Sequence, residues 1–231
     1  NVAYANAGTV AEAAIKGSAG SVTTGGAVSI LLTGKAVADA LIAGTKVNVQ
    51  GAELAVNVVN AIVSACQQAY IGQLEGGAAS AVNVTAMGGI SIRASLNDAA
   101  ETGAQAIVGS NGSDRSVAVS IIGGKASEAN ARMEGASSAH IRTTGSIVTA
   151  GQLALLNAAR SWAKADIADA SVDVTPVNAT LLLTEAVAGG NFKALAQTGA
   201  FSAGSVDIQN VHYAESHSAT GPAGGAGVTL V

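Results

Sequence analysis

Apolar residues recur at every second position along most of this chain, and similar alternating tracts return about every 60 residues. The clearest are Val82-Asn83-Val84-Thr85 and Ile90-Ser91-Ile92-Arg93, parted by Met87-Gly88-Gly89; β-branched residues at period two, broken by glycine, predict short strands and a turn. Val28-Ser29-Ile30, Ile90-Ser91-Ile92, Leu153-Ala154-Leu155 and Val206-Asp207-Ile208 form one recurring set, each just after a glycine. A second set is Leu54 to Val59, Val117 to Ile122 and Ala179 to Leu183. A third is anchored on Ile15, Ile71, Met133 and Leu195, spaced by 56, 62 and 62 positions. Repetition of this kind predicts an all-β stacked solenoid, a single domain of about four repeats, near 1–56, 57–118, 119–180 and 181–231. Coils of ~20 residues, three to a repeat, would give about eleven coils and a length near 50 Å. An antiparallel β-sandwich array is the competing all-β arrangement.

Two segments read as helix on propensity alone, Gln152 to Asp166 and Lys35 to Ile42. The first overlaps a position that reads as strand in the other repeats, so context predicts strand there too. Gly25-Gly26, Gly123-Gly124 and Gly189-Gly190 are expected to punctuate strands. The intervals Ile71–Ile90 and Met133–Leu153 exceed Ile15–Val28 and Leu195–Val206, which predicts extra loops within 72–88 and 134–150 projecting from one side.

Composition sharpens this picture. Nearly half the residues are apolar (49%), yet only 3% are aromatic, so small aliphatic side chains must fill a thin, regular interior. Charged residues make up 11%, against ~25% in an ordinary soluble domain. Solubility then rests on Ser, Thr, Asn and Gly, a surface common in extracellular β-proteins. A net charge of −4 with scattered Lys and Arg gives no footprint for nucleic acid. No apolar run approaches the ~18 residues of a membrane span. The missing initiator Met and signal peptide suggest a processed or excised piece.

The tracts Ala55 to Ala65, Ala69 to Gly72 and Val82 to Ala86 resemble the repeats of very large bacterial exoproteins, the leukotoxin-like, autotransporter and two-partner-secreted adhesins. That resemblance implies a right-handed parallel β-helix, a secreted or cell-surface location and an adhesive or structural role, with a host-surface or matrix ligand as possible partner. It brings no catalytic residues.

Candidate chemistry is sparse, and neither an enzyme nor a cofactor is expected. His212 and His217 flank Tyr213-Ala214-Glu215, but on a strand they face opposite sides and lack the spacing of a zinc helix. Asp166, Asp169 and Asp173 are the densest acidic group, and would matter in a carbohydrate-active β-helix, the alternative function, if a neighbouring coil supplied more carboxylates. None follows one coil later. An ice-binding solenoid would need threonine ladders, whereas Thr23, Thr85, Thr149 and Asp207 are only loosely equivalent. The glycine-rich stretch Gly221 to Gly227 has no Lys-Ser/Thr and no helix to open, so it reads as a connector. An offset of 62 residues aligns Cys66 with Glu128 and so predicts an accessible thiol.

The offset of 56 that relates Ile15 to Ile71 maps Asn1-Val2 onto the identical Asn57-Val58, while Val228 to Val231 resembles Leu54 to Asn57. Neither end shows the polar cap of a finished solenoid. Asn1, Val2, Val228, Leu230 and Val231 are therefore the expected interface residues, meeting either neighbouring repeats of a longer chain or another copy stacked end to end as in a filament.

Overall fold

The computed structural model describes the backbone of residues 1–43, 47–74, 77–78, 80–98, 101–109, 117–168, 172–221 and 225–230, with side chains described outside 44–55, 110–125, 169–180 and 222–231. Strands β1 (Val2–Ala7) and β2 (Val10–Lys16) lie in a first sheet, β3 (Ala19–Thr24) in a second, and β4 (Val28–Gly34) with β5 (Ala38–Ile42) in a third. The chain then re-enters the first sheet as β6 (Val47–Val63) and β7 (Cys66–Gly72), the second as β8 (Ala81–Ala86), and the third as β9 (Ile90–Leu96) and β10 (Ala104–Val108). A third circuit is β11 (Val117–Arg142), β12 (Ser146–Thr149) and β13 (Gln152–Ile167). The fourth is β14 (Val172–Gln197), β15 (Ala200–Ser202) and β16 (Ser205–Thr220), after which β17 (Gly225–Leu230) opens a fifth layer on the first sheet. The molecule is all-β, and every strand pair among the described residues is parallel, which removes the antiparallel sandwich.

The register corrects the coil length. Partners stand 51 to 70 positions apart, from Val177↔Val228 to Val47↔Val117, and none is ~20 apart. Each ~60-residue repeat is therefore one layer, not three coils, and four layers at ~4.8 Å make a stack on the order of 20 Å deep rather than 50 Å. The set Val28, Ile90, Leu153 and Val206 does form a continuous ladder, as do Ile15 and Ile71. But Ile71 meets Ile141, not Met133, and Met133 meets Val63 and Ala188. The error is eight residues. An even slip keeps every side chain on its own face, so alternation alone could not detect it.

Other expectations fall with it. Residues 134–142 continue β11, so no extra loop lies there; the insertion of the second circuit sits between Gly72 and Ala81. Gly123-Gly124 and Gly189-Gly190 lie inside β11 and β14 instead of ending them. Cys66 pairs with Val10 and Ala136, whereas Glu128 meets Val58 and Leu183; the thiol is half-buried and accepts a hydrogen bond from Gln68 Nε2 at 3.4 Å. The segments that resembled helices are strand, in β13 and in the Ala38–Ile42 part of 35–42. There, inward residues at period two alternate with exposed or half-exposed ones, and ladder pairing outweighs the weak helical preference of Ala and Leu.

The alternation builds two cores of different composition. Where side chains from all three sheets meet, Ile71, Val84, Ile90, Ile92, Ile141, Ile147, Leu153 and Leu155 form one buried cluster. Burying each contributes about 2 kcal/mol. Where only the first and third sheets face each other, the rows are mainly alanine: Ala61 and Ala131 against Ala104, Ala106, Ala163 and Ala165. Small side chains let these two sheets approach closely.

Between the cores runs a polar seam, buried at Ser137 and Asn157 and exposed at Asn210. Ser137 Oγ donates to Asn157 Oδ1 at 2.6 Å, Asn157 Nδ2 to Asn210 Oδ1 at 2.8 Å, and Asn210 Nδ2 to the Phe192 carbonyl at 3.0 Å. This chain crosses from the first sheet to the third and back. It opposes sliding of one sheet over the other, which an alanine core would tolerate.

Candidate interface on the outer layers

In the inner layers each strand is sandwiched between two others, but the outermost are not. Among the described residues β1 to β5 pair only with the second circuit, and β15 and β16 only with the third. On β14, β17 covers the stretch from Asp173 to Ala179 and leaves Leu181 onward open. Rows of backbone N–H and C=O groups face outward at both ends of the stack.

Side chains tell the same story. Leu153, Leu155 and Ile147 are 0%, 1% and 0% exposed, while their neighbours one layer up, Val206, Ile208 and Phe201, are 50%, 44% and 46% exposed. These three point inward, and among the described residues no strand pairs with β15 or β16 on their outer side. At the opposite end the inward residues Ala3, Ala5, Ala7, Ile15, Val22 and Val28 are half-buried.

The five expected interface residues divide between the two ends. Asn1 is tied to the second circuit: its ammonium donates to the Val56 carbonyl at 2.7 Å and its Nδ2 to Asn57 Oδ1 at 2.9 Å. Val2 pairs with Val58 and is exposed. Val228 and Leu230 pair with Val177 and Ala179, with side chains outside the described residues, as is Val231. Sequence reasoning missed Phe201, Val206 and Ile208. The signal was available, since Val206 and Ile208 belong to the ladder read off the sequence, but their position at its end was not weighed.

Charge on the outward faces is arranged across layers. Arg160 reaches Glu101 and Glu215 at 3.2 Å each, and Arg132 reaches Glu185 at 3.0 Å. Hydrogen bonds from His217 and Arg160 hold the Glu215 carboxyl below its ordinary range. Lys16, at 2.7 Å, likewise holds Glu12 low. Asn130 bonds Asn60 across layers at 3.0 Å, and the His140 ring stacks on Tyr70 at 5.1 Å.

The two C-terminal histidines do face opposite ways. His217 binds Glu215 on the outside at 2.7 Å, while His212 points inward, stacked on Phe192 at 4.1 Å and beside Ser161 Oγ at 3.0 Å. Partial withdrawal from water holds His212 below the usual histidine range. The folded chain therefore takes up this proton at lower pH than the unfolded chain does. The contribution to stability is complete above about pH 6.5 and is lost as pH falls toward the lower folded value. Proton NMR should find the His212 ring titrating below pH 6.5, and a His212→Gln chain should lose less melting temperature on acidification. A His212 midpoint at or above 6.5 would contradict that reading.

The remaining candidates are dispersed. Asp166 lies in the third sheet and contacts Lys164 at 3.8 Å; Asp173 lies in the first, and Asp169 is outside the described residues. Thr23 pairs with Thr85, but the ladder continues as Val148 and Ser202. Among the described residues no three His, Cys, Asp or Glu side chains gather as a metal site, and no helix is long and apolar enough to cross a membrane. Compared with protein-family models, curated proteins and solved structures, the chain matches none.

Proposed function

We propose that this chain is a structural building block, a right-handed parallel β-helix of four circuits that stacks end to end with like segments in a longer array or filament. The observation that carries the reading is the inward apolar row left exposed at the last layer, Phe201, Val206 and Ile208, above a fully buried row of the same kind. Cyclic passage through three parallel sheets is the connectivity of a solenoid, and right-handed crossovers are the rule between parallel strands. Low charge and a Ser-, Thr- and Asn-rich exterior suit a secreted or surface-displayed adhesive protein, with shape and repetition, not a reactive centre, as its working property.

Sedimentation and negative-stain microscopy of the 231-residue chain test this. Concentration-dependent rods of uniform width are expected. A monomer that persists at high concentration, with both outer layers protected from hydrogen exchange, would overturn it.

A further inference from the structure

Building on that stacking reading, we infer that the first layer of one copy seats on the last layer of another in a single register, head to tail, as a lapped joint. Carrying the ladders from β14 down to β1 and β2 assigns each residue of the last layer a counterpart in the first. Leu183 pairs with Glu128, Glu128 with Val58 and Val58 with Val2, so Val2 of the incoming copy falls on Leu183. By the same ladders Ala186 receives Ala5, Val187 receives Asn6, and Ala188 receives Ala7.

This placement fits in three independent respects. The exposed inward residues find apolar partners: Phe201 receives Val22, Val206 receives Val28, and Ile208 receives Ile30. One opposite-charge pair forms, Lys193 on Glu12, and no like charges meet where His217 falls on Asp39 and the uncharged Gln197 on Lys16. Opposite charges on neighbouring strands stabilise and like charges directly opposite destabilise. Finally, among the described residues the strands do not collide: β17 lies above β14 from Asp173 to Ala179, and the incoming β1 lies above it from Leu183 onward. Some columns pair polar with apolar residues, Asn210 against Leu32 and Thr220 against Ile42 on the inward side and Val187 against Asn6 on the outward side, and of these Asn210 already has partners in Asn157 and the Phe192 carbonyl.

Neighbouring strands lie ~4.8 Å apart, within the Cα range a disulfide spans. In a Cys66→Ser background, Asn6→Cys with Val187→Cys should give a ladder of covalent multimers on mild oxidation. Asn6→Cys with Leu195→Cys, displaced eight positions along β14, should give at least tenfold less. Lys193→Glu should weaken association severalfold, and Glu12→Lys in the same chain should restore it. Equal cross-linking by both pairs, or efficient dimers from Asn6→Cys alone, would overturn the register while leaving end-to-end stacking in place. Absence of any species above the monomer for the unmodified chain would overturn both.

Discussion

Replacing Asn97 by alanine is expected to lower the unfolding free energy by about 3–5 kcal/mol, more than any surface change in the molecule. Asn97 has φ +53°, a left-handed conformation that alanine tolerates poorly, at a cost of about 1 kcal/mol. Its buried side chain also closes a bracket between two layers: Oδ1 accepts from Ala36 N at 2.8 Å, and Nδ2 donates to the carbonyls of Ala36 at 2.9 Å and Thr102 at 3.0 Å. Alanine leaves those backbone groups without that partner. The site matters because the second circuit takes residues 97–103 to get from β9 to β10, where the first circuit uses only 35–37. Asn97 starts that detour and pins it to the layer below. Urea unfolding of Asn97→Ala beside Asn97→Gly separates the two effects, since glycine relieves the backbone and not the lost bonds. A loss below about 1 kcal/mol for alanine would mean that the bracket is not formed.

Gly72→Ala should cost about 3 kcal/mol, by a different route. Gly72 has φ +102° at the corner where the first sheet ends, and a Cβ there would run into the Arg142 carbonyl oxygen of the next layer. That oxygen accepts the Gln73 N–H at 3.0 Å, so relieving the clash breaks a backbone hydrogen bond between layers. Gly189→Ala is the matched control, because a Cβ at Gly189 meets nothing within 4 Å. Thermal melts should separate the two by roughly 5–10 °C for a chain of this size. Coincident melts would refute the corner geometry.

How much of this was legible beforehand depended on side-chain variety. The ladder through Val28, Ile90, Leu153 and Val206 could be read because its large apolar residues follow glycine turns, which fixes phase as well as period. Within β11 and β14 the inward row is largely Ala, Gly and Ser, and one alanine-rich stretch resembles another, so the anchor at Met133 slipped by eight residues and the one at Leu195 by a single residue, which placed outward Leu195 where inward Ala196 belongs. The mistaken coil of ~20 residues had a related cause. Short strands were expected in every repeat, whereas the four circuits hold five, five, three and three strands, and alternation cannot say whether consecutive tracts lie in one sheet or in three. The polar seam through Ser137 and Asn157 had a faint signature, an inward column that reads Leu32, Ala94, Asn157 and Asn210 from layer to layer. For the candidate interface, the matching phase of Asn1-Val2 and Asn57-Val58 was readable, and so was the place of Val206 and Ile208 at the end of a ladder, whereas Phe201 carried no such pattern.

Because ladder partners stand 51 to 70 positions apart, almost no local contact rewards the chain early in folding. Closing a loop of that length costs roughly 3–4 kcal/mol of chain entropy before the first pair forms. The first layer must meet this cost twice over, having no formed edge to lie against. Each later strand docks onto a finished template and recovers its cost at once. Such a molecule nucleates slowly and elongates quickly, so refolding should begin with a lag that preformed material abolishes. The open edge that leaves Val206 and Ile208 wet is also the edge on which the next strand grows.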